Sequence, residues 1–122
     1  MGLDLFFKKT KRQGETLVSF RKVNFLIAFF ESKGYVVKNM TPIVVNKKDC
    51  EELLDRCNKV LGDHSLASYL LPTSDGFFWG STEYDEWYYD DVKRIQCYLS
   101  DVLLPVFDSL NNDEVIEFVV SY

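Results

Sequence analysis

The sequence predicts an α+β domain in which strands from the two ends of the chain pair in a small antiparallel sheet, with about three helices packed on it. Three observations carry this. Residues 2–9 alternate with a period of two, Leu3, Leu5 and Phe7 against Asp4, Phe6 and Lys8. Residues 115–122 are rich in β-branched and aromatic side chains. The stretches between them hold apolar residues at helical spacing. At 122 residues, with no internal repeat or low-complexity tract, the chain fits one domain spanning 1–122. A chain of that size needs neither disulfides nor metal to build a core.

After the first strand, Thr10 to Gly14 is polar and ends in glycine, which predicts a loop. Residues 15–33 are predicted as a helix, because Phe20, Val23, Ile27 and Phe30 fall at intervals of 3, 4 and 3. Leu26 and Phe29 make it apolar on most sides from residue 23 onward, so it belongs at the centre of the fold, with Gly34 as its C-terminal cap. Residues 35–37 and 43–45 are short β-like runs, and Pro42 confines the second to an edge or a strand start. Asn46 caps a helix over 47–61 that Gly62 closes; its apolar positions 50, 53, 54, 57, 60 and 61 share one face. A helical turn is expected within 65–71, then loop signals to residue 80. Ser81 or Thr82 is the expected cap of a further helix. Its stripe runs Tyr84, Tyr88, Val92, Ile95, Leu99, Val102 and Val106, and Pro105 should kink or end it near residue 104.

Charge and cysteines narrow the function classes. Fourteen Lys and Arg against nineteen Asp and Glu leave a net charge of −5. Binding to nucleic acid draws on cationic side chains that release phosphate counterions, so direct nucleic-acid binding is disfavoured. The basic residues that do cluster, Lys8, Lys9, Lys11, Arg12, Arg21 and Lys22, read as a solvated hairpin tip or loop. No run reaches the roughly 18 apolar residues of a membrane span. An acid stands where a signal peptide carries a basic region, and Phe6 breaks the myristoylation pattern, so a cytoplasmic protein is expected. Three cysteines, Cys50, Cys57 and Cys97, are an odd set for a disulfide framework and are expected to be reduced and buried.

No catalytic signature emerges. Phosphate loop, dinucleotide fingerprint and paired Cys/His ligands are all lacking, and no cofactor or metal is expected. His64, the one histidine, reads as an exposed loop residue. Glu83, Asp85, Glu86, Asp90 and Asp91 crowd into nine positions; on a helix, Glu86 shares a face with both Glu83 and Asp90. Such acids can hold a hard cation or tune a pKa, but they also suit the positive end of a helix dipole. Phe77, Phe78, Trp79, Tyr84, Trp87, Tyr88 and Tyr89 fill seven of the thirteen overlapping positions 77–89. A stripe through Tyr84 and Tyr88 has no room for Trp87 or Tyr89, so some aromatics reach the surface, where Tyr and Trp serve as interface anchors. Gly76 and Gly80 can shape a rigid loop beneath them.

Three stretches resemble a family of small proteins encoded by phages, prophages and mobile elements of bacteria. They are Met1-Gly2-Leu3-Asp4, Phe20-Arg21-Lys22-Val23-Asn24, and the run from Leu71-Pro72-Thr73 through Gly76-Phe77-Phe78-Trp79-Gly80-Ser81-Thr82-Glu83-Tyr84-Asp85-Glu86 to Trp87-Tyr88. The family reads aromatic-Arg-Lys-Ala-Asn where this chain has Val23, and it ends in an aromatic-rich strand. The resemblance covers nearly the whole chain and implies a genomic setting rather than a reaction. With the aromatic and acidic segment, it leads to the expectation of an accessory protein that binds a host or phage protein, such as a nucleic-acid-binding defence component that it would inhibit in the manner of an anti-CRISPR. The expected binding residues are Arg21, Lys22, Asn24, Phe77, Phe78, Gly80, Glu83, Asp85, Glu86, Trp87 and Tyr88. Two alternatives stay open. One is a small-ligand protein or enzyme, with Arg21, Lys22 and Asn24 on an anionic group and the carboxylates of 83–91 as acid–base or metal groups. The other is a homo-oligomeric structural accessory protein.

Overall fold

The two ends of the chain meet in the middle of the sheet. The computed structural model describes residues 2–10 and 14–122; Lys11 and Arg12 of the basic cluster lie outside the described residues. Strand β1 (Asp4–Thr10) pairs antiparallel with β4 (Val115–Ser121), Asp4 opposite Ser121 and Thr10 opposite Val115. Strand β2 (Gly14–Arg21) forms a hairpin with β1, and β3 (Ile43–Val45) lines the far edge of β4, giving the order β2-β1-β4-β3. The α+β class and the pairing of the terminal strands agree with the sequence reading.

The apolar phase of the strands faces the helices. Leu5 and Phe7 of β1 and Ile116, Phe118 and Val120 of β4 are buried. Helix α1 (Phe25–Ser32) lies on them with Phe25, Leu26, Ile27, Phe29 and Phe30 all buried. Phe30 packs on Phe118 with 4.6 Å between ring centroids. Gly34, at φ +94, turns the chain out of α1. Its N–H bonds to the Glu31 carbonyl and the next, from Tyr35, to the Phe30 carbonyl, a complete Schellman motif. Helix α2 (Lys47–Gly62) starts where the Asn46 side chain accepts the Asp49 N–H at 2.8 Å, and it buries Cys50, Leu53, Cys57 and Val60. A 3-10 turn (His64–Leu66) and the short α3 (Ala67–Leu70) lead into an irregular segment, residues 71–85. Helix α4 (Glu86–Tyr98), a π-helical turn (Leu99–Leu103) and α5 (Leu104–Asp108) return the chain to β4.

Several local expectations are corrected. The helix expected over 15–33 is strand β2 up to Arg21, and only Phe25–Ser32 is helical. Val18 sits opposite Phe7 and Thr16 opposite Lys8, so Leu17 is an extra residue in a bulge that hides the period of two. Residues 35–37 form no strand, because β3 occupies the edge of β4 at Ile116–Phe118 and only Asn39 bridges to Val120. Gly62 belongs to the last turn of α2, and Asp63 is the residue that follows it. The cap of α4 is Asp85, which accepts the Tyr88 N–H at 3.1 Å; Ser81 accepts the Glu83 N–H instead. Glu83 and Tyr84 therefore precede the helix. At Pro105 the helical path widens rather than breaks: the Leu104 N–H reaches back to the Leu99 carbonyl. That turn carries an extra residue, so Leu103 is buried and Val102 exposed, one position out of phase with the expected stripe. Cys97 is exposed, off the face of α4 that buries Val92 and Ile95. Cys50 and Cys57 are buried, and burial pushes both thiols up to about 12.

Candidate functional site: an aromatic loop clamped by Asn24

Asn24 is 3% exposed and lies just before α1. Both protons of its amide are used: Nδ2 donates to the Trp79 carbonyl at 3.1 Å and the Ser81 carbonyl at 3.0 Å. Its Oδ1 accepts the Ser74 N–H at 3.1 Å. One buried side chain thus ties three backbone points of segment 71–85 to the start of the central helix. A second set of ties closes the loop on itself. Thr73 Oγ1 donates to the Thr82 carbonyl at 3.0 Å, and the Thr73 N–H to the Tyr84 hydroxyl at 3.2 Å. At the base of the loop the buried Tyr88 hydroxyl donates to the Leu71 carbonyl at 2.7 Å. Burial raises the Tyr88 phenol well above its ordinary pKa, so the group stays a donor.

Backbone conformation then decides what the loop displays. The Trp79 N–H bonds to the Gly76 carbonyl at 3.1 Å, closing a turn with Phe77 and Phe78 at its apex. Phe78 has φ 62 in a position that turns of this kind give to glycine, at a cost of about 1–2 kcal/mol for an L side chain. A Cβ on Gly76 would overlap the Trp79 ring, which folds back over it. Gly80 has φ +91, and a Cβ there would come 3.1 Å from Lys22 Cβ; Lys22 itself has φ 59. Left-handed residues thus face each other on the two sides of the Asn24 clamp. The result is an outward pair of rings, Phe77 and Phe78, 82% and 51% exposed with centroids 4.2 Å apart. Trp79 turns inward and meets Tyr122 edge-on at 5.0 Å. Trp87, in the first turn of α4, is 72% exposed.

Between the loop, residues 22–25 and the start of α4 lies a cleft of about 180 Å³. Lys22, Gly80, Glu83, Asp85, Trp87 and Asp91 are among its lining residues. Of the expected binding residues, then, Lys22, Asn24, Gly80, Glu83, Asp85, Trp87 and Tyr88 come together around this cleft, and Phe77 and Phe78 stand exposed on the loop that forms one wall. Arg21 does not line the cleft, and Glu86 is exposed on α4. Asn24 has both donors committed to the loop, so its place is structural support of the site rather than a hand held out to an anion. Among the described residues no group of three or more His, Cys, Asp or Glu could hold a metal ion, and no helix is long and apolar enough to cross a membrane.

The electrostatics of this surface are uneven. Asp75, Glu83, Asp85, Glu86 and Asp90 are exposed and form no ion pair among the described residues. Asp91 pairs with Arg94 at 3.1 Å, yet its carboxyl is held above the ordinary range, first by burial, with Asp90 and Asp85 adding to the effect and Arg94 opposing it. Sequence reasoning counted Asp91 among the carboxylates of 83–91 but missed Asp75 as part of this surface and the clamping role of Asn24, whose partners lie 50 to 57 residues away. No family model, curated protein or solved structure matches this chain.

Proposed function

We propose that this chain is a binding protein, and that residues 76–87 are its recognition surface for a protein partner. The observation that supports the reading is the pair Phe77 and Phe78, large exposed aromatics on a loop held by a buried side chain and by glycines in special conformations, together with the exposed Trp87 in the first turn of the helix that follows. Rings placed in advance lose little conformational freedom on binding, which makes them efficient anchors. The left-handed Phe78 fits the same picture, because backbone strain persists where surrounding structure holds it for a purpose. The exposed acids of the same segment and the start of α4, which form no ion pair among the described residues, favour a partner with a basic face and speed its approach. The resemblance to phage and mobile-element proteins gives the proposal its finer form, in which the partner is a host defence protein with a basic, nucleic-acid-binding face and this chain obstructs it.

The test is a binding comparison on purified protein. Tagged chain captures its partner from host lysate, the partner is purified, and affinities are measured for the native chain and for the Phe77→Ser, Phe78→Gly and Trp87→Ala variants. Each variant should lose about 2 kcal/mol or more of binding while remaining folded. Full affinity in all three folded variants would remove the surface from consideration.

A further inference from the structure

The cleft behind Trp87 has a chemistry of its own. Its volume of about 180 Å³ equals that of some six water molecules at about 30 Å³ each, room for the end of one long side chain. Its lining joins three carboxylates, Glu83, Asp85 and Asp91, to one ammonium, that of Lys22, so the cleft is net negative. The Lys22 stem crosses Gly80 and its Cε runs toward Gly2. An anion would have to seek the N-terminus of α4, but the Asp85 carboxylate already occupies that place by accepting the Tyr88 N–H. A bare metal ion would find no use for the indole of Trp87, whereas a flat cation stacks on it.

We infer that this cleft receives an arginine side chain of the protein partner, its guanidinium stacked on Trp87 and hydrogen-bonded to the carboxylates of Glu83 and Asp91. The assignment rests on the recognition surface proposed above and specifies its deepest contact. A planar guanidinium can serve two carboxylates and an aromatic face at once; an ammonium serves them less well. Burial, the first cause of the raised Asp91 pKa, also means that a cation meeting this carboxylate does so partly shielded from water, alongside the existing contact from Arg94.

The cleft itself is tested without the partner, and the partner affinities of the loop variants then separate this assignment from the recognition surface. L-arginine amide is titrated into the isotope-labelled full chain and followed by the indole signal of Trp87 and the backbone signals of Glu83 and Asp91. L-citrulline amide, close in shape, with the same α-amino group and an uncharged side chain, and L-lysine amide are titrated in parallel. Arginine amide should saturate these signals with a dissociation constant on the order of 1 mM, lysine amide should bind several-fold more weakly, and citrulline amide should not bind. Trp87→Ala should weaken arginine amide about tenfold and Glu83→Gln about fivefold. Asp55→Asn, a change to an ion-paired acid on α2, should leave it unchanged. Equal binding of citrulline amide, equal binding of lysine amide, or shifts mapping away from Trp87 would overturn the assignment. If arginine amide fails to bind while Phe77→Ser still abolishes partner binding, the cleft assignment falls and the recognition surface stands. If arginine amide saturates the cleft while the loop variants keep full partner affinity, the cleft's preference is upheld and the recognition surface falls.

Discussion

Helix α2 and segment 71–85 both border the core, and they treat their outer surfaces in opposite ways. On α2 the exposed charges are largely spent on neighbours: Glu52 meets both Lys33 and Arg56 at 2.8 Å, Asp55 meets Lys59 at 2.9 Å, and Lys47 meets Asp108 at 2.6 Å. Its apolar residues point inward, and its regular backbone satisfies itself. Segment 71–85 has no regular backbone pattern, borrows hydrogen bonds from a side chain more than fifty residues distant, and turns two phenylalanines out to solvent beside unpaired acids. The lesson is that α2 sustains itself with its own backbone and ion pairs, while the loop is held in an otherwise unfavourable arrangement by contacts from elsewhere in the chain. Substitutions under the loop should therefore cost stability, and substitutions on top of it should not.

The largest effect expected is at Asn24. Asn24→Ala leaves two carbonyls and one N–H without their partner and should cost about 3 kcal/mol in urea denaturation. A cost below about 1 kcal/mol would show that the loop holds itself and that the contrast with α2 is overdrawn. Gly80→Ala comes next, at about 1–2 kcal/mol, from its positive φ and the approach to Lys22. Tyr88→Phe should cost about 1 kcal/mol through the lost bond to Leu71. Tyr98 sharpens that comparison: its hydroxyl is buried with no partner among the described residues, so Tyr98→Phe should be neutral or raise the melting temperature. At the surface the sign turns. Phe78→Gly relieves a left-handed side chain and should leave stability unchanged or raise it by up to about 1 kcal/mol. A marked destabilisation measured for Phe78→Gly would place that ring in the fold's support rather than on its display face. Lys59→Ala on α2 should be smallest of all, within about 0.5 kcal/mol, since it removes one exposed i,i+4 pair.

The sequence was legible where structure is local. Asn46 and the positions 50, 53, 57 and 60 specify α2 without reference to anything distant, and the Gly34 cap is equally self-contained. The alternation in β1 and the β-rich end of the chain were enough to pair the terminal strands. Legibility failed where a distant partner chose between two local options. Ser81 and Asp85 are both good caps, and the ties from Asn24 and Thr73 to the intervening backbone select Asp85. Residues 15–21 can follow a helical stripe or a bulged strand, and pairing with β1 selects the strand. Trp87 was readable as exposed because it lies off the stripe of α4. Cys97 was readable by the same reasoning, which the apolar character of cysteine obscured. Asn24 sat in plain view beside Arg21 and Lys22, and nothing local reveals that its amide faces carbonyls of the loop.

The place of β1 between β2 and β4 has a consequence in time. A ribosome adding about 5–20 residues each second needs on the order of ten seconds to travel from the end of β1 to the end of β4. Through that interval β1 and β2 are already made, and the β1 edge that β4 will occupy stands open, with Leu5 and Phe7 waiting for their cover. Helix α2 can form early from its own residues, but the sheet can close only after residue 121 has left the exit tunnel. Until then the growing chain carries an open β-edge, and Trp79 of the aromatic loop lacks Tyr122, the ring it packs against in the finished fold.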